Sequence, residues 1–141
     1  MIGVLILSHY RLADEFVAAL HHIVGEVKHV RAIGLDPATA APEEMRAQID
    51  KGIREIDAGR GVLVLVDMFG GTPSNIALSF LEEGRVEVVT GVNLPMLVKV
   101  ARQKEGVAIH ELAEIARDYG RRNISVASDL LSSREPGKPN S

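Results

Sequence analysis

The chain has 141 residues, 46% hydrophobic and 25% charged, with a formal net charge of −3. That is enough for one compact domain with one core, without the basic excess that suits a nucleic-acid or acidic-membrane partner. The absence of cysteine excludes a disulfide frame and thiolate chemistry. No apolar run approaches the roughly 20 residues of a membrane span, and the N-terminus lacks a signal-peptide pattern, so a cytoplasmic protein is expected.

Ile2 to Leu7 is a continuous apolar run that reads as a buried strand and stops at Ser8-His9. Leu12, Phe16, Leu20, Ile23 and Val24 then follow at helical steps and form one apolar stripe. Val27 to Leu35 is a second, more polar strand, suited to a position nearer an edge. Pro42-Glu43-Glu44 opens a helix whose stripe is Met45, Ile49, Ile53 and Ile56. Proline loses no needed N–H in a first turn, and acids favour the positive end of the helix.

Gly61 to Val66 is a third strand, ending at Asp67. Ile76, Ala77, Phe80 and Leu81 make a shorter helical stripe, and Val86 to Thr90 a weaker strand. Asn93-Leu94-Pro95-Met96 reads as a loop and helix start. Ile109, Leu112, Ile115 and Tyr119 mark the last helix, with Gly120 as its expected C-terminal cap. Ile124 to Ala127 is a short fifth strand. Ser132 to Ser141 is rich in Ser, Pro, Gly and Lys and reads as a disordered tail, leaving 1–131 as one domain. The order β-α-β-α-β-α-β-α-α-β predicts a single open, mostly parallel, doubly wound sheet with helices on both faces.

In such sheets ligands bind beyond the carboxyl ends of the strands, near the point where the strand order reverses. Two strand ends carry chemistry: Ser8-His9 after the first, and Asp67-Met68-Phe69-Gly70-Gly71-Thr72-Pro73 after the third. The first and third strands are neighbours in many such folds, which would bring His9 and Asp67 together. A neutral imidazole, with an ordinary pKa of about 6.5, is a good nucleophile near neutrality. A carboxylate on one ring nitrogen fixes the tautomer and stabilises the cation formed when the other attacks.

Gly70 and Gly71 can turn sharply, Thr72 reads as an N-cap and Pro73 as the first helical residue. Phosphate favours a helix start of this kind. A plain reading stands beside the functional one: His9 caps a turn, Asp67 caps a helix, and the glycines make an ordinary connection. The loop is not a P-loop, and the first strand lacks Gly-x-Gly-x-x-Gly, so a dinucleotide site is not expected. Neither a metal site nor a cofactor is expected. His21, His22, His29 and His110 read as surface or packing residues. The parts together suit transient phosphoryl capture on histidine, which needs positioning and charge stabilisation and, between two histidines, no obligatory metal.

Three segments in order carry a resemblance: Val4-Leu5-Ile6-Leu7-Ser8-His9, Gly61 through Asp67 to Pro73, and Gly91-Val92-Asn93-Leu94-Pro95-Met96-Leu97. From Met1 to about Leu131 the chain resembles the enzyme IIA proteins of the mannose family of the bacterial phosphoenolpyruvate:sugar phosphotransferase system. The resemblance implies that His9 is phosphorylated and that Asp67 bonds the ring nitrogen that does not receive phosphate. It implies phospho-HPr as donor, a separate IIB protein as acceptor, and a homodimer in which a C-terminal strand, about Asn123 to Ala127, joins the partner's sheet. Gly70, Gly71 and Thr72 are the expected phosphate-binding residues, and Ser8, Met68, Phe69 and Asn93 a partner-facing or site rim.

The chain departs from the family pattern in Tyr10-Arg11 after the histidine, in Phe69 for tryptophan and in Thr72 for serine. These bear on partner choice. An alternative role is a regulatory module whose His9 phosphorylation controls protein binding without sugar transport. The segment from Asp67 to Pro73 favours the mannose family over the related phosphocarrier subunit of dihydroxyacetone kinase. A two-component receiver would need an acidic pair where Ser8-His9 stands.

Overall fold

The structure, a computed structural model, describes residues 1–132. The element order is β1 (Gly3–His9), α1 (Leu12–Val24), β2 (Val30–Leu35), α2 (Pro42–Ile56), β3 (Val62–Val66), α3 (Thr72–Leu78), β4 (Val86–Thr90), α4 (Leu94–Ala101), α5 (Ile109–Arg122) and α6 (Ala127–Ser132). The four strands form one all-parallel sheet in the order β2-β1-β3-β4. The chain leaves β1 toward one edge and returns through β3 toward the other, so the order reverses between β1 and β3.

The strands' twofold side-chain alternation divides the core into two layers. Val4, Ile6, Leu63 and Leu65 pack with Ala13, Leu20, Met96, Leu97, Leu112 and Ala116, which places α1, α4 and α5 on one face. Leu5, Leu7, Val62, Val64 and Val66 pack with Met45, Ile49, Ile53 and Ala77, which places α2 and α3 on the other. Each such side chain, fully buried, contributes about 1.5–3 kcal/mol against the entropy of ordering the chain. The continuous apolar runs of β1 and β3 follow from this double cover, while the more polar β2 lies at an edge as its composition predicts.

A buried amide ties the start of the sheet to the far end of α4. Gln103 Oε1 accepts the Ile2 N–H at 2.8 Å, and its Nε2 donates to the Ile2 carbonyl at 3.1 Å. Among the described residues, no helix is long and apolar enough to cross a membrane.

The structure corrects several expectations. In α1 the buried contacts come from Ala13 and Leu20, whereas Leu12 and Ile23 are exposed. β2 starts at Val30, because 28–29 form a turn. α3 stops at Leu78, so Phe80 and Leu81 fall in the turn beyond it. Gly120 is not a cap: it lies inside α5, where an added Cβ would stand 2.7 Å from Met96 Cε, so glycine here permits close packing of α5 on α4.

The fifth strand is not formed in this chain. Residues 124–126 are irregular, α6 occupies 127–132, and Ile124 and Val126 are 75% and 63% exposed. A strand needs a neighbour for its backbone groups, and among the described residues this segment has none. The tail expected over 132–141 lies outside the described residues apart from Ser132, which ends α6.

Candidate functional site

Alternation along β1 decides what each residue at its end can reach. Ser8 points to the α1 side and is fully buried; its Oγ accepts the Ala13 N–H at 2.7 Å. Ser8 is therefore an internal anchor for the first turn of α1, not a rim residue. His9 projects to the opposite face, toward the start of α3.

His9 and Asp67, 58 positions apart, meet there because β1 and β3 are paired and both end at this edge. Asp67 Oδ2 lies 2.9 Å from His9 Nδ1 and accepts the His9 backbone N–H, also at 2.9 Å. Asp67 Oδ1 accepts the Met68 N–H at 2.9 Å. One carboxylate thus receives three N–H groups and is held in a single orientation. An ionised carboxylate has only acceptors, so in the neutral ring Nδ1 carries the proton toward Asp67 and the lone pair lies on Nε2. The two side chains differ in exposure: 43% for His9 and 10% for Asp67. A sheltered carboxylate strengthens the pair, while the ring remains open to a second molecule.

The loop after Asp67 brings backbone close to the free nitrogen. Gly71 has φ +84° and ψ 173°, a region used almost only by glycine. A Cβ built on Gly71 would stand 3.1 Å from His9 Nε2 and 3.2 Å from Cε1. The missing side chain therefore leaves room beside Nε2. Gly70 also has φ +84°. The N-cap of α3 is Gly71 and not Thr72; Thr72 is the first helical residue, and no side chain caps the helix. Its first N–H groups consequently have no partner within the helix. The N-cap is a glycine, so it has no side chain with which to cap the helix.

Asn93 has a different place from that expected. Its Oδ1 accepts the Met96 N–H and its Nδ2 donates to the Gly120 carbonyl, both at 3.0 Å, so it caps α4 and locks α5 against it. Met68 and Phe69 are exposed, Phe69 at 73%. Tyr10 and Leu12 are exposed as well, and both lie within three positions of His9. Four exposed apolar side chains therefore stand on the segments that follow His9 and Asp67. Leu12 escaped notice because helical spacing assigns it to the core stripe. Tyr10 stood out in the sequence only as a departure after His9.

Among the described residues, no group of three or more His, Cys, Asp or Glu residues is placed to hold a metal. The chemistry available is that of an oriented imidazole beside glycine backbone. Replacing Gly71 by alanine is expected to cost about 1–3 kcal/mol in urea denaturation, from its backbone conformation. It should also shift the His9 ring signals in NMR spectra. A variant as stable as the parent with unmoved ring signals would contradict this geometry.

The chain was compared with known proteins. A family model described as the fructose IIA component of the phosphotransferase system, EIIA-man, matches residues 3–117. The chain is 30% identical over 132 residues to the fructose-specific EIIA component of Bacillus subtilis, covering 93% of this chain and 90% of that protein. It is 30% identical over 125 residues to the mannose-specific EIIAB component of Escherichia coli, covering 87% of this chain but only 38% of that longer protein. A solved IIA protein associated with the fucose utilization operon of Streptococcus pneumoniae superposes with a TM-score of 0.78 at 32% identity, covering 91% of this chain and 95% of that one. IIA components are phosphotransferases with a phosphocarrier role in sugar uptake systems, and this chain belongs to their EIIA-man family.

Proposed function

We propose that the protein accepts a phosphoryl group on His9 Nε2 from phospho-HPr and passes it to a IIB protein. The observation that carries this reading is the placement of the two ring nitrogens: Nδ1 is engaged by Asp67 at 2.9 Å, and Nε2 is open beside Gly71. In the forward step the Nε2 lone pair attacks phosphorus and forms a new N–P bond. The donor's N–P bond breaks, and its electron pair returns to the donor imidazole. The His9 proton stays on Nδ1, where the Asp67 carboxylate balances the positive phosphoimidazolium ring. Transfer to the acceptor repeats the exchange in reverse, with His9 as leaving group.

Both exchanges keep the proton and the carboxylate in place, so catalysis here is positioning and charge stabilisation. Gly70, Gly71 and Thr72 would present backbone N–H groups to the phosphoryl oxygens. The apolar ring of Tyr10, Leu12, Met68 and Phe69 would dock the donor and acceptor in turn and exclude water from a hydrolysable phosphohistidine. The protein would work in the cytoplasm without a cofactor.

We further propose a homodimer. β4 is an open edge of the sheet, and a groove of about 370 Å³ between β4 and α5 is lined by residues including Val88, Thr90, Ala113 and Ile124. Beyond the Glu82–Val86 bridge, no strand pairs with this edge among the described residues, and an edge beside an exposed apolar segment suits pairing with a second copy. Light scattering should give twice the 15.2 kDa chain mass, and Ile124→Asp should shift it toward one. A monomer at tens of micromolar would contradict the dimer.

The phosphocarrier reading is tested by mixing the protein with radiolabelled phosphoenolpyruvate, enzyme I and HPr. Acid-labile, alkali-stable label is expected, dependent on HPr and absent in His9→Ala. Asp67→Ala should stay folded and take label at least tenfold more slowly, on the order of one lost charge-assisted hydrogen bond. No label with a cognate HPr would overturn the phosphocarrier, and an unchanged rate in Asp67→Ala would remove the orienting role. Label that reaches His9 but passes to no IIB protein would favour the regulatory alternative.

A further inference from the structure

The chain direction at the end of β1 is fixed residue by residue. Ser8 is anchored through its hydroxyl to the Ala13 N–H, and the His9 N–H bonds Asp67 Oδ2. The Tyr10 N–H donates to the Leu35 carbonyl at 2.8 Å. The Tyr10 carbonyl lies over Gly34: a Cβ built on Gly34 would stand 1.9 Å from the Tyr10 oxygen and 3.0 Å from its carbonyl carbon. That separation is far inside any tolerable contact, so no other residue fits at Gly34 while Tyr10 stays where it is.

Gly34 is not at a positive φ. What the position requires is space, not an unusual backbone of its own. The unusual backbone belongs to Tyr10, which at φ +54° is the one non-glycine residue in the left-handed region among the described residues. A large side chain there is disfavoured, and such a conformation persists only where the surroundings over-determine it. Here the surroundings are β2. The Leu35 carbonyl takes the Tyr10 N–H, and the bare Cα of Gly34 takes the Tyr10 carbonyl.

We infer that Gly34 is a positioning residue for His9: its missing side chain makes a notch in β2 that seats the Tyr10 carbonyl and so holds the turn that aims the imidazole. The inference rests on the reading of His9 as phosphoryl acceptor. Gly34 touches neither the ring nor a transferred group. It acts through Tyr10, one residue beyond the nucleophile, and through the edge strand on the side of β1 away from Asp67. Asp67 sets the rotation of the ring from β3, and the Gly34 notch sets the direction of the backbone from β2. The left-handed conformation also directs the Tyr10 side chain outward, where it is 67% exposed beside His9.

The test is Gly34→Ala, with label transfer from phospho-HPr measured at saturating donor and His9 ring nitrogens followed by NMR. Transfer should slow by on the order of tenfold to a hundredfold, as for a small misplacement of a reacting group. The ring signals should move while the protein still melts cooperatively. Adding Tyr10→Gly should recover part of the lost rate, because glycine lets the carbonyl leave the filled notch at little cost. A folded Gly34→Ala protein with parental turnover and ring signals would overturn the inference, as would failure of Tyr10→Gly to recover any turnover.

If Gly34→Ala does not fold, Tyr10→Asn is compared with Tyr10→Val. Both remove the ring from the apolar surround and should raise KM for the donor. Only valine, which resists a positive φ, should also lower turnover, by on the order of tenfold relative to asparagine. Equal turnover in these two variants would overturn the inference. If the wild-type protein takes no label, the phosphocarrier reading fails by itself. The ring signals of Gly34→Ala, or of the Asn and Val pair, then decide the positioning role alone.

Discussion

The pairing of β1 with β3 is the constraint on which the site depends, because it converts 58 positions of sequence separation into one 2.9 Å contact between His9 and Asp67. The pairing is driven by burial: Leu5, Leu7, Val64 and Val66 on one face and Val4, Ile6, Leu63 and Leu65 on the other are removed from water together. Neither strand has a polar side to expose, so both must lie in the middle of the sheet. Parallel pairing then sends their carboxyl ends to the same edge, where the strand order reverses. Hydrophobic burial therefore pre-assembles the polar pair, and Asp67 does not have to organise the fold to meet His9.

Glycine performs the finer work around that pair. Gly71 leaves the side of Nε2 clear, Gly34 makes room for the Tyr10 carbonyl, and Gly120 lets α5 approach the helix that Asn93 caps. In each case the observed neighbour lies where a Cβ would force it aside. These positions allow closer approach than a side chain would permit. The exposed apolar side chains of Tyr10, Leu12, Met68 and Phe69 are the complementary feature, carried by the segments that follow β1 and β3.

The sheet was legible in the sequence because its central strands are apolar without interruption and because α2 buries Met45, Ile49 and Ile53 as their spacing predicts. The pairing of His9 with Asp67 could be anticipated because strand ends are few and only two carry such chemistry. What could not be read depended on distances between elements. Gly120 looks like a cap because Gly so often follows a helix, and only the packing of Met96 Cε against it shows otherwise. Thr72 looks like an N-cap, but two positive-φ glycines in succession move the cap to Gly71. Ile124 to Ala127 has strand composition, and a strand is defined by a neighbour that the described residues do not provide. Tyr10 gives no sign of its left-handed backbone, because that conformation is imposed by Leu35 and Gly34 in another strand.

The central claim is that Asp67 reserves one ring nitrogen of His9 and leaves the other for the phosphoryl group. It is tested most directly by phosphorus–nitrogen couplings in NMR spectra of the phosphorylated, ring-¹⁵N-labelled protein. The account predicts a direct coupling of phosphorus to Nε2 of His9, with the Nδ1 proton still present and hydrogen-bonded. Phosphorus bonded to Nδ1, or to any of the other four histidines, would contradict it.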